Sequence, residues 1–183
     1  MRKIYLIPLL LLLAIAVSAA TIEVPEAPAG MLLQEAVAVG GTPIITQDTD
    51  DGGSSPSDPA SYSVGQSFTM PAGKTAIYSI KLYVHAAGSD VPLILSNDTD
   101  LTSNNIDTKT ISISGTGYHE WVFNATGLTA ETVYYFAVAK GSTTTTFRRA
   151  TTNVYEDGAY RYGSSADSMG STLSHEFRFI INE

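Results

Sequence analysis

Residues 118–140 read Tyr118-His-Glu-Trp121-Val-Phe123-Asn124-Ala-Thr-Gly127-Leu128-Thr-Ala-Glu-Thr132-Val-Tyr134-Tyr-Phe136-Ala-Val138-Ala-Lys140. Trp121 and Phe123 stand two apart, so an extended backbone sends both to one side. Tyr134, Phe136 and Val138 repeat that spacing. Between the two runs, Asn124 to Gly127 supplies turn chemistry, and Leu128 returns toward the interior. The stretch predicts two strands joined by a tight connection, with a large apolar payload on one face. That is the centre of a β-sandwich.

The pattern continues on both sides. Toward the C-terminus, Gly141-Ser142 marks a turn and Thr143 to Thr152 reads as a Thr-rich strand carrying the pair Arg148-Arg149. Val154 to Tyr162 places Tyr155, Tyr160 and Tyr162 around Asp157-Gly158, and Ser164 to Ser171 reads as a loop. Ser174 to Asn182 alternates Phe177, Phe179 and Ile181 with Glu176, Arg178 and Ile180, the signature of a closing strand. Toward the N-terminus, strands are expected at Thr108–Ser114, Val91–Leu95, Thr75–His85 and Tyr62–Met70. Ile80, Leu82 and Val84 form the cleanest alternation. Ser96 to Asn105 and residues 47–61 read as polar loops. A first strand over 36–46 is interrupted at Gly40-Gly41, with a short helix over 31–39 as the alternative. Nine or ten short strands at turn-punctuated spacing, with no helix after the leader, predict an all-β, two-sheet antiparallel β-sandwich.

Ahead of the sandwich, residues 1–20 have the form of an export signal, a hydrophobic leader helix. Arg2 and Lys3 precede an apolar run from Ile4 to Val17, and Ser18-Ala19-Ala20 suits cleavage. The rival reading is an uncleaved signal anchor, the one route to a membrane for this chain. Residues 21–35, with Pro25, Pro28 and Gly30, read as a tether, leaving 36–183 as a single domain.

Composition narrows the function classes. Only 15% of the 183 residues are charged against 44% hydrophobic, a profile of strands and polar turns rather than of a helical bundle. The net charge of −8 argues against a phosphate-backbone partner, so nucleic acid is excluded. There is no cysteine, so the fold relies on its core, with or without bound metal.

Two resemblances follow from these residues. Leu128-x-x-x-Thr132-x-Tyr134-x-Phe136-x-Val138 resembles the strand entry of fibronectin type III domains, where a tyrosine corner holds the connection. Over Gln66 to Ile181, the order is Gln66-Ser-Phe-Thr-Met-Pro-Ala-Gly, Ile80-Lys-Leu-Tyr-Val, Trp121-Val-Phe, Leu128 to Tyr135, Tyr155-x-x-Gly158 and Glu176-Phe-Arg-Phe. This is similar to jelly-roll modules of secreted surface proteins, carbohydrate-binding appendages and viral or phage fibre components. The resemblance implies a jelly-roll-like sandwich and an extracellular role. It carries no binding residue across.

Catalytic signatures are absent from the sequence. His85, His119 and His175 stand singly on strands, not at the helical spacing of a zinc protease. No Gly-x-Ser-x-Gly elbow occurs, and the Gly pairs at 40–41 and 52–53 lack a following Lys and helix. Calcium is the metal expectation, with hard oxygen ligands at Asp48, Asp50 and Asp51 in one loop and Asn97, Asp98 and Asp100 in another. Tyr155, Tyr160 and Tyr162 with Arg148 and Arg161 are the candidate glycan contacts, since aromatic faces stack on sugars and arginines bond hydroxyls. Tyr83 and Arg149 are further candidates. Asn97-Asp-Thr99 and Asn124-Ala-Thr126 fit N-glycan acceptors.

The expected function is that of a secreted, non-catalytic structural or adhesive surface protein, a subunit of a filament, envelope layer or virion. Its partners are then like subunits or other surface proteins, with residues 31–46 able to complete a neighbour's sheet. The alternative is a carbohydrate-binding module that docks a polysaccharide with the help of Ca²⁺.

Overall fold

The computed structural model describes residues 41–50, 57–152 and 155–183. The leader, the tether, residues 36–40 of the expected first strand, and Asp51 lie outside the described residues.

In chain order the strands are β1 (Pro43–Gln47), β2 (Ser63–Thr69), β3 (Ala76–Ala86), β4 (Val91–Ser96), β5 (Asn105–Ile111), β6 (Gly117–Thr126), β7 (Val133–Val138), β8 (Thr146–Phe147), β9 (Arg149–Ala150), β10 (Tyr160–Gly163), β11 (Ser171–Leu173), β12 (Glu176–Phe177) and β13 (Phe179–Asn182). One sheet runs β1-β13-β3-β6, with β8 also on β3; the second runs β11-β10-β2-β7-β4-β5; β12 and β9 form a short ribbon. Every pairing between these strands is antiparallel. Among the described residues there is no helix.

The two sheets meet across one apolar interior. Ile80, Leu82, Trp121 and Phe179 come from the first sheet, and Phe68, Leu93, Leu95 and Phe136 from the second, all fully buried. The Phe136 and Phe179 rings meet across the layers at 5.1 Å, near edge-on, a favoured aromatic geometry. Burying each such side chain stabilises the fold by about 1.5–3 kcal/mol. The Trp121 indole Nε1–H donates to the Val91 carbonyl at 3.0 Å, so its one polar atom is satisfied inside. The tyrosine corner is present too: the Thr129 N–H donates to the Tyr134 hydroxyl at 2.8 Å and pins the turn before β7.

Local bounds differ from expectation in ways the contacts explain. Residues 105–107 extend β5 because β4 offers them pairing partners, whereas residues 112–114 leave the sheet. Ser171–Leu173, read as loop and boundary, is a strand because β10 pairs with it. The connection at Asn124–Thr126 is still part of β6, kinked by a left-handed Asn124 with φ of 55°.

The expected strands over 143–152 and 174–182 are each cut in two, at Arg148 and Arg178. Both cuts arise at one junction. Tyr83 N–H donates to the Arg178 carbonyl (3.1 Å), Arg178 N–H to the Arg148 carbonyl (3.3 Å), and Arg148 N–H to the Tyr83 carbonyl (2.9 Å). Three chain segments thus close a ring of backbone hydrogen bonds, and β9 and β12 turn away together. Past the other end of β13, Thr42 and Glu183 exchange backbone hydrogen bonds of 2.8 and 2.9 Å. Residues 43–47 therefore pair with their own chain's last strand.

Glu176 breaks the expected alternation. It lies on the ribbon strand β12 and is wholly buried, as is Gln66. Burial pushes its carboxyl up to about 8, with the Gln66 side-chain hydrogen bond pulling the other way, so the buried acid is neutral at pH 7.

Candidate binding site

The three candidate tyrosines are divided between two clefts. Tyr160 and Tyr162, on β10, line a cleft of about 290 Å³ with Tyr62, Val64, Arg149, Asp58 and Leu173. Tyr62 is 47% exposed and meets Tyr162 edge-on at 6.1 Å. Tyr160 stacks beside Tyr162 at 6.5 Å and is almost fully buried, so it forms the floor. The Arg149 guanidinium lies over the Tyr160 ring at 5.3 Å, a cation–π contact that holds a charged fork at the floor. Asp58 shapes the rim by accepting from the Ala60 N–H (3.0 Å) and the Ser61 hydroxyl (2.8 Å). Two aromatic walls, an aromatic floor, one cation and one carboxylate converge here. Such a set can stack on a ring with an apolar face and bond its hydroxyls.

Tyr155 lies elsewhere. It packs edge-on against Phe179 at 5.4 Å and lines a cleft of about 360 Å³ with Ile44, Met70, Pro71, Glu131 and Asp157. Burial, then the Asp157 charge, raises its hydroxyl to about 12. This cleft is the larger, but it offers a single aromatic and two acids, a poorer match to a sugar face. Arg161 sits over Tyr135 at 5.9 Å, away from the aromatic cleft.

Arg148 belongs to a third grouping, around the strand junction. Arg178 reaches Asp48 with Nε at 3.1 Å and Nη2 at 2.5 Å, and Asp50 with Nη1 at 3.1 Å; Arg148 Nη2 reaches Asp50 at 3.3 Å. Tyr118 donates its hydroxyl to Asp48 at 2.5 Å. The Arg178 guanidinium also lies 4.4 Å from the centre of the Tyr83 ring. The Tyr118 hydrogen bond, then the one from Arg178, hold the Asp48 carboxyl below its ordinary range. Two of the acids proposed as calcium ligands are thus fastened to arginines, and they latch the chain leaving β1 onto the junction.

In the second acidic loop, Asp98 accepts from the Thr99 N–H (2.6 Å) and Asp100 from the Thr102 N–H (2.9 Å) and Ser103 N–H (3.1 Å). Those backbone donors bring the exposed Asp100 carboxyl to about 2. Asn97 is exposed at the start of that loop, its N–H donating to the Asn104 carbonyl at 3.3 Å. Among the described residues no three His, Asp or Glu side chains gather as a metal ion would need.

The chain matches no family model, no curated protein and no solved structure.

Of the residues that line this cleft, the sequence names Tyr160, Tyr162 and Arg149 as candidate contacts, but not Tyr62, Asp58 or Leu173. Asp58 and Tyr62 come from the segment before β2, far away along the chain, and Leu173 from β11, which pairs with β10. Tyr62, expected as the first residue of a strand, stands one residue before β2 and is left exposed there.

Proposed function

We propose that this chain is an exported, non-catalytic surface module of jelly-roll-like sandwich type that docks a saccharide through the Tyr62–Tyr160–Tyr162 cleft. The carrying observation is the convergence of three tyrosine rings with Arg149 and Asp58 in one open cleft. Sugars present an apolar ring face and a rim of hydroxyls, and this cleft supplies a partner for each. An acidic, disulfide-free sandwich suits display outside the cell in a filament, envelope layer or virion, among like subunits or other surface proteins.

The test is calorimetric titration with soluble oligosaccharides and polysaccharides of neutral, amino and uronic types, with and without Ca²⁺. One class binds, and Tyr62→Ala weakens it about tenfold, the equivalent of about 1.4 kcal/mol for one lost stacking surface. Heat from no class, or binding that Tyr62→Ala leaves unchanged, refutes the assignment. Light scattering across a concentration series reads the assembly part independently, and a monomer throughout counts against it.

A further inference from the structure

We infer that Asn124 is a site of N-linked glycosylation. The acceptor triplet is Asn124-Ala125-Thr126, with both Asn124 and Thr126 exposed. Asn124 sits in β6, the strand that among the described residues ends its sheet and pairs only with β3. An edge of this length is a template for unwanted strand pairing, and folded proteins blunt such edges. At β5, the end strand of the other sheet, Lys109 does so: it pairs with Leu93, whose side chain faces the core, so the lysine is on the inward face. β6 has no such lysine, since its inward positions are His119, opposite core Leu82, and the core residues Trp121 and Phe123. What β6 has instead is an asparagine whose left-handed φ of 55° interrupts the ladder and leaves the carboxamide in solvent.

The surroundings suit a sugar at that atom. Asn124 and Thr126 line a shallow cleft of about 150 Å³ with Tyr78, Ile77 and Glu183. Tyr78, half-buried, gives the first sugar a face to lie on. The other triplet, Asn97-Asp98-Thr99, is differently placed: the Thr99 hydroxyl donates to Asp98 at 3.2 Å, beside a full negative charge.

The reaction is a simple transfer. The Asn124 Nδ2 attacks C1 of an oligosaccharide carried on a lipid pyrophosphate. The Nδ2–C1 bond forms, and the C1–O bond breaks with its electron pair leaving on the pyrophosphate. One amide proton passes to a carboxylate of the transferase. Nothing is oxidised or reduced. The transfer happens only to an exported chain, so this inference rests on the export part of the proposed function.

The test uses the protein isolated from its native producer, fractionated by compartment and digested with trypsin. Cleavage after Lys81, Lys109 and Lys140 separates the two triplets, Asn97 into residues 82–109 and Asn124 into residues 110–140. Mass spectrometry is expected to find glycan on the 110–140 peptide, lost in Asn124→Gln, with 82–109 bare. A bare 110–140 peptide from exported protein, or glycan on 82–109 alone, overturns this inference while export stands. Protein found only inside the cell with its leader attached overturns both.

Discussion

Replacing Glu176 by Gln keeps the shape of a buried side chain and removes its ability to ionise. The carboxyl is wholly buried and its proton is held to about 8, chiefly by burial. In the unfolded chain an ordinary glutamic acid releases that proton near pH 4.3. The folded value is raised, so the unfolded state ionises first as pH climbs. The contribution of this group is therefore fully present below about pH 4 and is lost progressively up to about pH 8. Each pH unit inside that window costs about 1.4 kcal/mol, so moving from pH 5 to pH 7 removes about 3 kcal/mol from the native protein. Glu176→Gln has no such dependence. Urea unfolding followed by the single buried tryptophan, Trp121, measures both proteins at both pH values. The two proteins differ only at residue 176, so the change in their stability gap with pH reads that residue. The stability gap between Glu176→Gln and the native chain is expected to move by about 3 kcal/mol in the mutant's favour between pH 5 and pH 7. Parallel curves, with a gap that does not move, refute a neutral buried acid.

Three further outcomes follow from the packing. Tyr134→Phe removes the acceptor for the Thr129 N–H and lowers stability by about 1 kcal/mol in the same unfolding assay. Gly65→Ala places a Cβ 2.3 Å from the Phe136 carbonyl and 2.5 Å from the Met169 sulfur; overpacking against backbone costs about 1–3 kcal/mol, read as a lower melting temperature. Asp48→Asn loosens the arginine latch. Since the Asp48 carboxyl is held low in the folded state, its contribution is present above about pH 4 and lost as pH falls below it. The exposed setting limits the effect to about 1 kcal/mol or less, shrinking in high salt, and denaturation midpoints at pH 6 and pH 3 compare the two proteins.

The alternation of Ile80, Leu82 and Val84, and of Trp121 and Phe123, announces the core because burial on a strand is a local, period-two property. All five side chains are interior. The tyrosine corner was visible for a similar reason, as a short-range spacing. The breaks at Arg148 and Arg178 were not, because a ring of hydrogen bonds among residues 83, 148 and 178 has no trace in any one segment. Nor did the strand pattern reveal that Glu176 is interior, since β12 leaves the sheet to pair with β9 and loses its solvent face. The candidate site was half legible. Tyr160 and Tyr162 share a strand and could be grouped by spacing, whereas Asp58, Tyr62, Arg149 and Leu173 are joined to them only by folding.

The exchange of hydrogen bonds between Thr42 and Glu183 has a mechanical corollary. The chain enters β1 beside the point where β13 ends, so tension on the incoming chain acts at one end of that strand pair. The bonds between Pro43–Gln47 and Phe179–Asn182 then open one after another, like a zip, rather than sharing the load. β1 comes away at low force while β13 stays paired to β3 along its other side. A molecule held by its N-terminal side and gripped at its cleft would thus yield a few residues of slack before its interior is disturbed.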